Sequence, residues 1–167
     1  MGGDMALAGV GVDIVEIARM ERILERTPRF ARRVFTDEER AYCESTARPA
    51  AHYACRFAAR EATLKALGCG FGPGIRFDDV SVAADASGRP QVELRGRAAE
   101  VAREKGVLSV AISLSFTREM AVANAVATTA QTAPKAETAR DPRRELAESF
   151  REARSVIDEL ERVTDGK

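Results

Sequence analysis

The fold is decided by residues 49–74, which read PAAHYACRFAAREATLKALGCGFGPG. Alanine favours helix and permits close packing, and the run of helix-forming residues that follows Pro49 stops at Gly68. At 100° per residue its apolar side chains converge on one face, which comprises Tyr53, Ala54, Phe57, Ala58 and Leu64. The segment therefore predicts a long helix over Ala50–Leu67 with one apolar face.

The rest of the chain shows both strand-like and helix-like patterns. Alternating apolar residues predict five strands, over Ala6–Ile14, Val80–Ala84, Gln91–Arg95, Val107–Phe116 and Met120–Ala127. Further helices are predicted from about Val15, after a capping box formed by Thr36 and Glu39, and over Gly96–Lys105. The GRP sequence at 88–90 predicts a hairpin turn. Because most strands are adjacent in sequence, the fold class is α+β and not a strictly alternating βαβ fold.

Composition restricts the class of protein. The chain has 167 residues, enough for one domain and a short appendage, and its 26 basic and 26 acidic side chains cancel. A neutral chain has no overall field that would hold a polyanion, so we expect no nucleic-acid partner. Because neither a signal peptide nor a run of the ~20 apolar residues needed to span a bilayer is present, we expect a cytoplasmic protein without membrane contact. Three cysteines and one histidine disfavour a disulfide scaffold or a Cys/His zinc site.

The composition changes sharply near residue 128. We therefore expect one domain over 1–127, a flexible linker over 128–142 and an appended amphipathic helix over 143–167. The helix is indicated by apolar residues that recur every three or four positions, namely Leu146, Phe150, Ala153, Ile157 and Leu160. Two alternatives stay open for it: docking on its own domain or fraying in solution, and self-association or partner binding.

Two charged side chains interrupt the apolar face of the long helix. Glu61 falls in the middle of that face, and Lys65 lies beside it one turn later. A carboxylate directed into a core costs several kcal/mol unless it is paired, protonated or bound to a metal. Glu61 and Lys65 therefore form either an i,i+4 ion pair at the helix edge or part of a functional site. The glycines at 68, 70, 72 and 74 allow backbone amides to approach a phosphate, although a flexible turn has the same composition.

Asp13 is the second candidate, at the end of the first predicted strand. It points to the side opposite three apolar residues, Val10, Val12 and Ile14. Acids at strand ends usually face solvent. If the fold brings Asp13 and Glu61 together, however, their carboxylates, completed by water and substrate phosphates, predict a Mg²⁺ site. Lys65 and Arg56 would then add positive charge for the same phosphates.

A third feature is a stripe of arginines in the first helical region. Its members recur every three or four residues: Arg19, Arg22, Arg26, Arg29 and Arg33. Pro28 makes their continuity on one helix uncertain. The stripe is either a solvated face, because glutamates interleave with it, or a surface that steers an acidic partner helix.

Four segments together resemble the holo-acyl-carrier-protein synthases, the small class of 4′-phosphopantetheinyl transferases. They are GVGVDIVEI at 9–17, RRVFTDEE at 32–39, RFAAREATLKALGCG at 56–70 and GRPQVELRG at 88–96. The resemblance covers residues 7–127 and implies a 4′-phosphopantetheinyl transferase-like fold, a mostly antiparallel sheet packed on helices. It also implies a homotrimer with active sites at subunit interfaces. The implied reaction transfers phosphopantetheine from coenzyme A to a serine of an apo acyl carrier protein and releases adenosine 3′,5′-bisphosphate.

The same resemblance implies roles for individual residues. The implied set comprises the metal ligands Asp13 and Glu61, the catalytic residues Glu61 and Lys65, the coenzyme A contacts Arg56, Lys65, Gly68 and Gly70, and the carrier-binding residues Arg19, Arg22 and Arg26. Two residues depart from the family pattern. Arg60 stands where lysine is common, and Phe116 stands where many members have a histidine associated with coenzyme binding.

Two other functions are considered. A non-catalytic carrier-binding or scaffolding module is suggested by Phe116 and by the C-terminal helix that the resemblance does not cover. A Mg²⁺-dependent nucleotide hydrolase is disfavoured, because no residue is identified as a dedicated base for water.

Overall fold

The computed structural model describes residues 9–132. Within this range, five strands and five helices follow one another along the chain: β1 Gly9–Glu16, α1 Ile17–Arg26, α2 Arg29–Val34, α3 Asp37–Glu44, α4 Pro49–Ala66, β2 Val80–Ala84, β3 Pro90–Leu94, α5 Gly96–Glu104, β4 Val107–Phe116 and β5 Met120–Thr129. A 3₁₀ turn, Phe77–Asp79, precedes β2. The predicted helix over 143–167 and most of the predicted linker lie outside the described residues.

The strands form two antiparallel sheets, which confirms the α+β class. One sheet has the order β1-β5-β4, and the other is the β2–β3 hairpin. The predicted elements are recovered with shifted boundaries. β5 continues through Thr128 and Thr129, which the sequence had assigned to the linker. β1 continues to Glu16, so α1 begins at Ile17 instead of near Val15, and Asp13 lies within the strand instead of at its end.

The first sheet packs directly on α4 because small residues line the contact. A Cβ atom on Gly9 would overlap the carbonyl oxygen of Ala66, and one on Gly11 would overlap that of Ala62. β5 adds four buried alanines on the same side, namely Ala121, Ala123, Ala125 and Ala127. The two glycines of GVGVD thus allow the strand to approach the helix backbone, and this closeness brings Asp13 beside α4.

Helix α4 is buried on most sides, which corrects the prediction of a single apolar face. Twelve of its eighteen residues are buried, including Arg56 and Arg60. Four members of the predicted face are buried as expected, but Phe57 is only half-buried. It shares a stripe with Glu61 and the exposed Lys65 at i, i+4 and i+8. Glu61 therefore lies at the margin of the core, where it faces a cleft, and not in the middle of a buried face.

The opposite face of β1 is apolar and exposed. The exposed fractions of Val10, Val12 and Ile14 are 65%, 46% and 56%, and Val126 of the neighbouring strand is 37% exposed. In the sheet, Val10 of β1 pairs with Val126 of β5, and Ile14 of β1 pairs with Val122 of β5. A contiguous apolar strip on a sheet face usually marks an interaction surface.

Several features are absent from residues 9–132. No helix in this range is long and apolar enough to cross a membrane. Cys43, Cys55 and Cys69 are free thiols, and burial raises the pKa of Cys43 to about 12 and that of Cys55 to about 11. Such buried thiols are poor nucleophiles and poor metal ligands. No group of three His, Cys, Asp or Glu side chains is arranged to hold a metal there.

Candidate active site

Asp13 and Lys65 form an ion pair across the contact between β1 and α4. The Lys65 ammonium donates to Asp13 Oδ1 at 2.7 Å and to the carbonyl oxygen of Val12 at 3.1 Å. The hydrogen bond to Asp13 raises the pKa of Lys65. The i,i+4 pair between Glu61 and Lys65 that the sequence left open does not form; because β1 lies against α4, the aspartate takes the ammonium instead.

Glu61 faces the same side of the molecule as Asp13. Burial raises the pKa of Glu61, the negative charge of Asp13 raises it further, and Lys65 opposes the shift. Both carboxylates line a cleft of about 600 Å³, together with Arg19, Phe57 and Met120. The structure thus brings Asp13 of β1 to the side of α4 that carries Glu61 and Lys65.

The two carboxylates fit a divalent cation by their chemistry. Each offers hard oxygen donors, and their mutual repulsion, visible in the raised pKa of Glu61, would be relieved by a bound positive ion. Two protein carboxylates are enough for Mg²⁺, which usually keeps several waters and binds substrate phosphates in its remaining positions. Lys65, which pairs with Asp13, adds a positive charge beside the same carboxylate and is positioned to attract a phosphate.

In the glycine-rich loop after α4, the amides of the two predicted glycines form hydrogen bonds within the chain. Gly68 and Gly70 have φ of 66° and 53°, the left-handed region in which glycine is favoured. Their amides donate to the carbonyl oxygens of Lys65 and Leu64, at 2.9 and 3.3 Å, and so end the helix. Among the described residues, the amides of Phe71 and Gly72 have no such partner. The amides of Phe71 and Gly72 are therefore free to donate to a ligand, and contact of Gly68 and Gly70 with coenzyme A stays a prediction.

Arg56 is not beside the carboxylates within one chain. It lines a separate cavity of about 210 Å³, whose walls include Tyr42, His52 and Phe116. Only 6% of Arg56 is exposed, its guanidinium stacks 3.9 Å from the centre of the Tyr42 ring, and its Nε has no hydrogen-bond partner. An unpaired buried donor at a cavity is suited to an anionic ligand. Within one chain Arg56 and the two carboxylates thus line different cavities, and the contact of Arg56 and Lys65 with the same phosphates stays a prediction.

Phe116 belongs to an aromatic and cationic cluster that sequence reasoning missed. The His52 ring lies 5.3 Å from the Phe116 ring and 5.4 Å from Tyr42. Arg48 stacks 5.3 Å from the centre of Phe116 and donates to the carbonyl oxygens of Thr117 and Arg118. Burial and the two neighbouring arginines lower the pKa of His52, which favours the neutral ring. The available signal was the i,i+4 spacing of Arg48, His52 and Arg56.

A buried ion pair was also missed. Arg60 is fully buried and forms a bidentate pair with Glu39, which is only 2% exposed. The sequence identified Glu39 only as the capping-box residue of α3, a role the structure confirms: its side chain accepts from the amide of Thr36, and the Thr36 hydroxyl accepts from the amide of Glu39. The signal available in the sequence was Arg60 itself. An alanine-rich helix packs closely, an arginine within it is expected to be buried, and a buried arginine needs a hydrogen-bonding partner of opposite charge.

The arginine stripe is divided between two helices. Arg19, Arg22 and Arg26 are exposed on α1, opposite the buried Ile17 and Met20. The other two members, Arg29 and Arg33, lie on α2, after a break at Thr27 and Pro28. Of the α1 arginines, Arg19 reaches the cleft that holds both carboxylates. A basic helix therefore borders the candidate active site.

Comparisons with known proteins identify the family of this chain. Residues 9–130 match the family profile of the 4′-phosphopantetheinyl transferase superfamily. The chain is 47% identical over 116 residues to a holo-[acyl-carrier-protein] synthase of Moorella thermoacetica, a match that covers 70% of this chain and 90% of that protein.

Solved structures show the same fold. The crystal structure of the Neisseria meningitidis holo-[acyl-carrier-protein] synthase matches with a TM-score of 0.66 and 31% identity, covering 72% of this chain and 98% of that one. The Helicobacter pylori synthase in complex with coenzyme A matches with a TM-score of 0.63 and 28% identity, covering 71% and 99%. The chain therefore belongs to the holo-[acyl-carrier-protein] synthases of the 4′-phosphopantetheinyl transferase superfamily.

Proposed function

We propose that this protein transfers 4′-phosphopantetheine from coenzyme A to a serine hydroxyl of an apo acyl carrier protein. The P–O bond between phosphopantetheine and adenosine 3′,5′-bisphosphate breaks, a bond from the serine oxygen to the same phosphorus forms, and the serine proton is released. The observation that carries the proposal is that Asp13 and Glu61 line one cleft, with Lys65 hydrogen-bonded to Asp13, in a chain of this family. The relatives' name and the coenzyme A complex of the Helicobacter pylori synthase support it.

Asp13 and Glu61 are proposed as ligands of Mg²⁺. When bound, the ion supplies positive charge to the pyrophosphate and polarises the attacked phosphorus. Lys65 is proposed to neutralise charge on the phosphates, because its half-exposed ammonium lies 2.7 Å from the Asp13 carboxylate. The remaining contribution of the protein is positioning of the serine and the phosphorus in line.

The assembly is proposed to be a homotrimer, as the family resemblance implies. Two observations support an active site completed by a second subunit. The strip of Val10, Val12 and Ile14 leaves apolar surface uncovered, and burial of such surface stabilises by about 25 cal/mol per Å². In addition, Arg56 lines a cavity separate from the Asp13–Glu61 cleft, and one coenzyme A molecule is proposed to contact Arg56 of one subunit and the carboxylates of a neighbouring subunit.

The carrier protein is proposed to dock on α1. Arg19, Arg22 and Arg26 are exposed there, next to the cleft, and complement an acidic helix of the carrier. We propose a cytoplasmic location because Cys43, Cys55 and Cys69 are free thiols, the state that the reducing cytosol maintains. Arg56 and the loop after Gly68 are proposed to contact the coenzyme A phosphates.

The proposal is tested by incubating the full chain with coenzyme A, Mg²⁺ and several apo carrier proteins. Mass spectrometry should show one added phosphopantetheine arm, and the Glu61→Gln variant should lose transfer while keeping a wild-type circular dichroism spectrum. A matched Glu100→Gln change on the exposed side of α5 should retain transfer. Binding of the carrier without any transfer by the wild-type protein would contradict the proposal and favour the scaffolding alternative.

A further inference from the structure

Every side-chain nitrogen and oxygen atom of the buried Glu39–Arg60 ion pair has a hydrogen-bond partner. The side chains are 1% and 0% exposed, and Arg60 Nη1 donates to Glu39 Oε1 at 2.9 Å while Nη2 donates to Oε2. A buried pair of this kind adds little net stability compared with apolar residues of the same size, because both charges are desolvated. Its presence therefore calls for a reason other than stability.

The remaining hydrogen bonds of the pair connect it to four elements. Arg60 Nε donates to the carbonyl oxygen of Phe77 at 3.0 Å, and Nη1 also donates to that of Arg56 at 3.1 Å. Glu39 Oε1 accepts from the Val82 amide at 2.9 Å, and Oε2 accepts from the Thr36 amide at 3.0 Å. The pair thus joins α3, α4, β2 and the 3₁₀ turn that ends the glycine-rich loop.

This network determines where the Arg56 guanidinium lies. Tyr42, three residues after Glu39 on α3, is the ring on which Arg56 stacks at 3.9 Å. Arg56 Nε has no hydrogen-bond partner, so the position of the guanidinium depends on its stacking with the Tyr42 ring and on the α4 backbone from which the side chain extends. Because Glu39 binds Arg60 on the next turn of α4, the distance between the two helices, and hence between Tyr42 and Arg56, depends on the ion pair.

The network also holds the glycine-rich loop. The loop begins at Gly68, where α4 ends, and its far end is attached to α4 by the hydrogen bond from Arg60 to Phe77. Arg60 therefore forms hydrogen bonds next to both groups proposed to contact the coenzyme A phosphates, at the backbone of Arg56 and at the end of this loop. Lysine, which is common at this position in the family, would keep the charge. In this chain, however, the surrounding acceptors are arranged around a guanidinium, and a single ammonium cannot reproduce the bidentate contact and both carbonyl contacts in the same geometry.

We propose that Glu39 and Arg60 are positioning residues for coenzyme A, which fix Arg56 and the glycine-rich loop without touching the substrate. This inference rests on the proposed function. Loss of a group that orients a ligand-contacting residue typically reduces affinity by about 10- to 100-fold. We expect the Kd for coenzyme A to rise at least about tenfold in Arg60→Lys and in Glu39→Gln.

The test measures coenzyme A binding by isothermal titration calorimetry in Mg²⁺, and the KM for coenzyme A and for the apo carrier. In both variants the KM for coenzyme A should rise in parallel with the Kd, while the KM for the carrier stays unchanged. Val101→Ala, a core truncation in α5, is the control for destabilisation alone and should lower the melting temperature without changing the Kd. Equal coenzyme A affinity in wild type and in folded Arg60→Lys would overturn the inference.

A further variant keeps the test informative if the charge variants do not fold. Tyr42→Leu removes the stacking ring from a partly exposed site and leaves the ion pair intact, so it should raise the Kd for coenzyme A by a similar factor. Combined with Arg60→Lys, it should add little further loss, because both act on Arg56. Fully additive losses, or no loss in Tyr42→Leu, would contradict the inference. Failure of the wild-type protein itself to bind coenzyme A would instead contradict the proposed function.

Discussion

The close packing of β1 on α4 predicts that Gly11→Ala damages both stability and catalysis. The added Cβ would overlap the carbonyl oxygen of Ala62 and lie 2.8 Å from the amide nitrogen of Ala66, and both obstacles are backbone atoms that no rotamer change can move. Since carbon contacts require about 3.5 Å, the strand must shift by on the order of 1 Å. Overpacking of this kind costs about 1–3 kcal/mol.

The shift also affects the active site, because Asp13 is two residues further along β1. Its carboxylate lies 2.7 Å from Lys65 Nζ and faces the cleft of Glu61, so a movement of the strand changes both relationships. A misplacement of about 1 Å in a catalytic arrangement can cost about 100-fold in rate. We therefore expect Gly11→Ala to lower the turnover number for transfer by about two orders of magnitude.

The two effects are measured separately. A loss of 3 kcal/mol at about 2–4 °C per kcal/mol corresponds to a fall of about 6–12 °C in the melting temperature, which calorimetry resolves. Gly106→Ala is the matched control: φ is 67° there, but nothing lies within 4 Å of an added Cβ. It should cost only the ~1–2 kcal/mol of left-handed backbone strain and leave transfer unchanged. If Gly11→Ala melts with the wild type and turns over normally, the packing argument is wrong.

Three further predictions concern charge and assembly. Burial raises the pKa of Glu61 in the folded state, so its ionised form destabilises the fold above that pKa. With a chelator present, Glu61→Gln should therefore have a higher melting temperature than wild type at pH 7, and the difference should vanish as the pH falls to the ordinary carboxyl range. Arg22→Glu should raise the KM for the apo carrier at least about tenfold at low salt, whereas Arg103→Glu on α5 should not. If the proposed trimer forms through the apolar face of β1, Val12→Lys should give inactive monomers in analytical ultracentrifugation, whereas Ala86→Lys in the β2–β3 turn should leave both assembly and transfer intact.

Much of the local structure could be predicted from the sequence, because its signals are local. The capping box of Thr36 and Glu39, the stop at Gly68 and the alternation in β2 to β5 act over a few residues, and the structure places the elements within a few residues of the predictions. The family motifs also identified Asp13, Glu61 and Lys65 as candidates. What such motifs could not indicate is which of these charged groups pair with each other.

The pairings depend on how the elements pack, and only the tertiary structure decided them. Gly9 and Gly11 turn toward α4, so β1 presents its apolar side chains outward, and Asp13 takes the ammonium of Lys65. The same packing places Arg56 on a different wall from Glu61, five residues away on one helix. Residue type and spacing therefore determined the helices, strands and candidate groups. Contact between distant elements, which depends on side-chain volume and on the desolvation of charges, determined their partners.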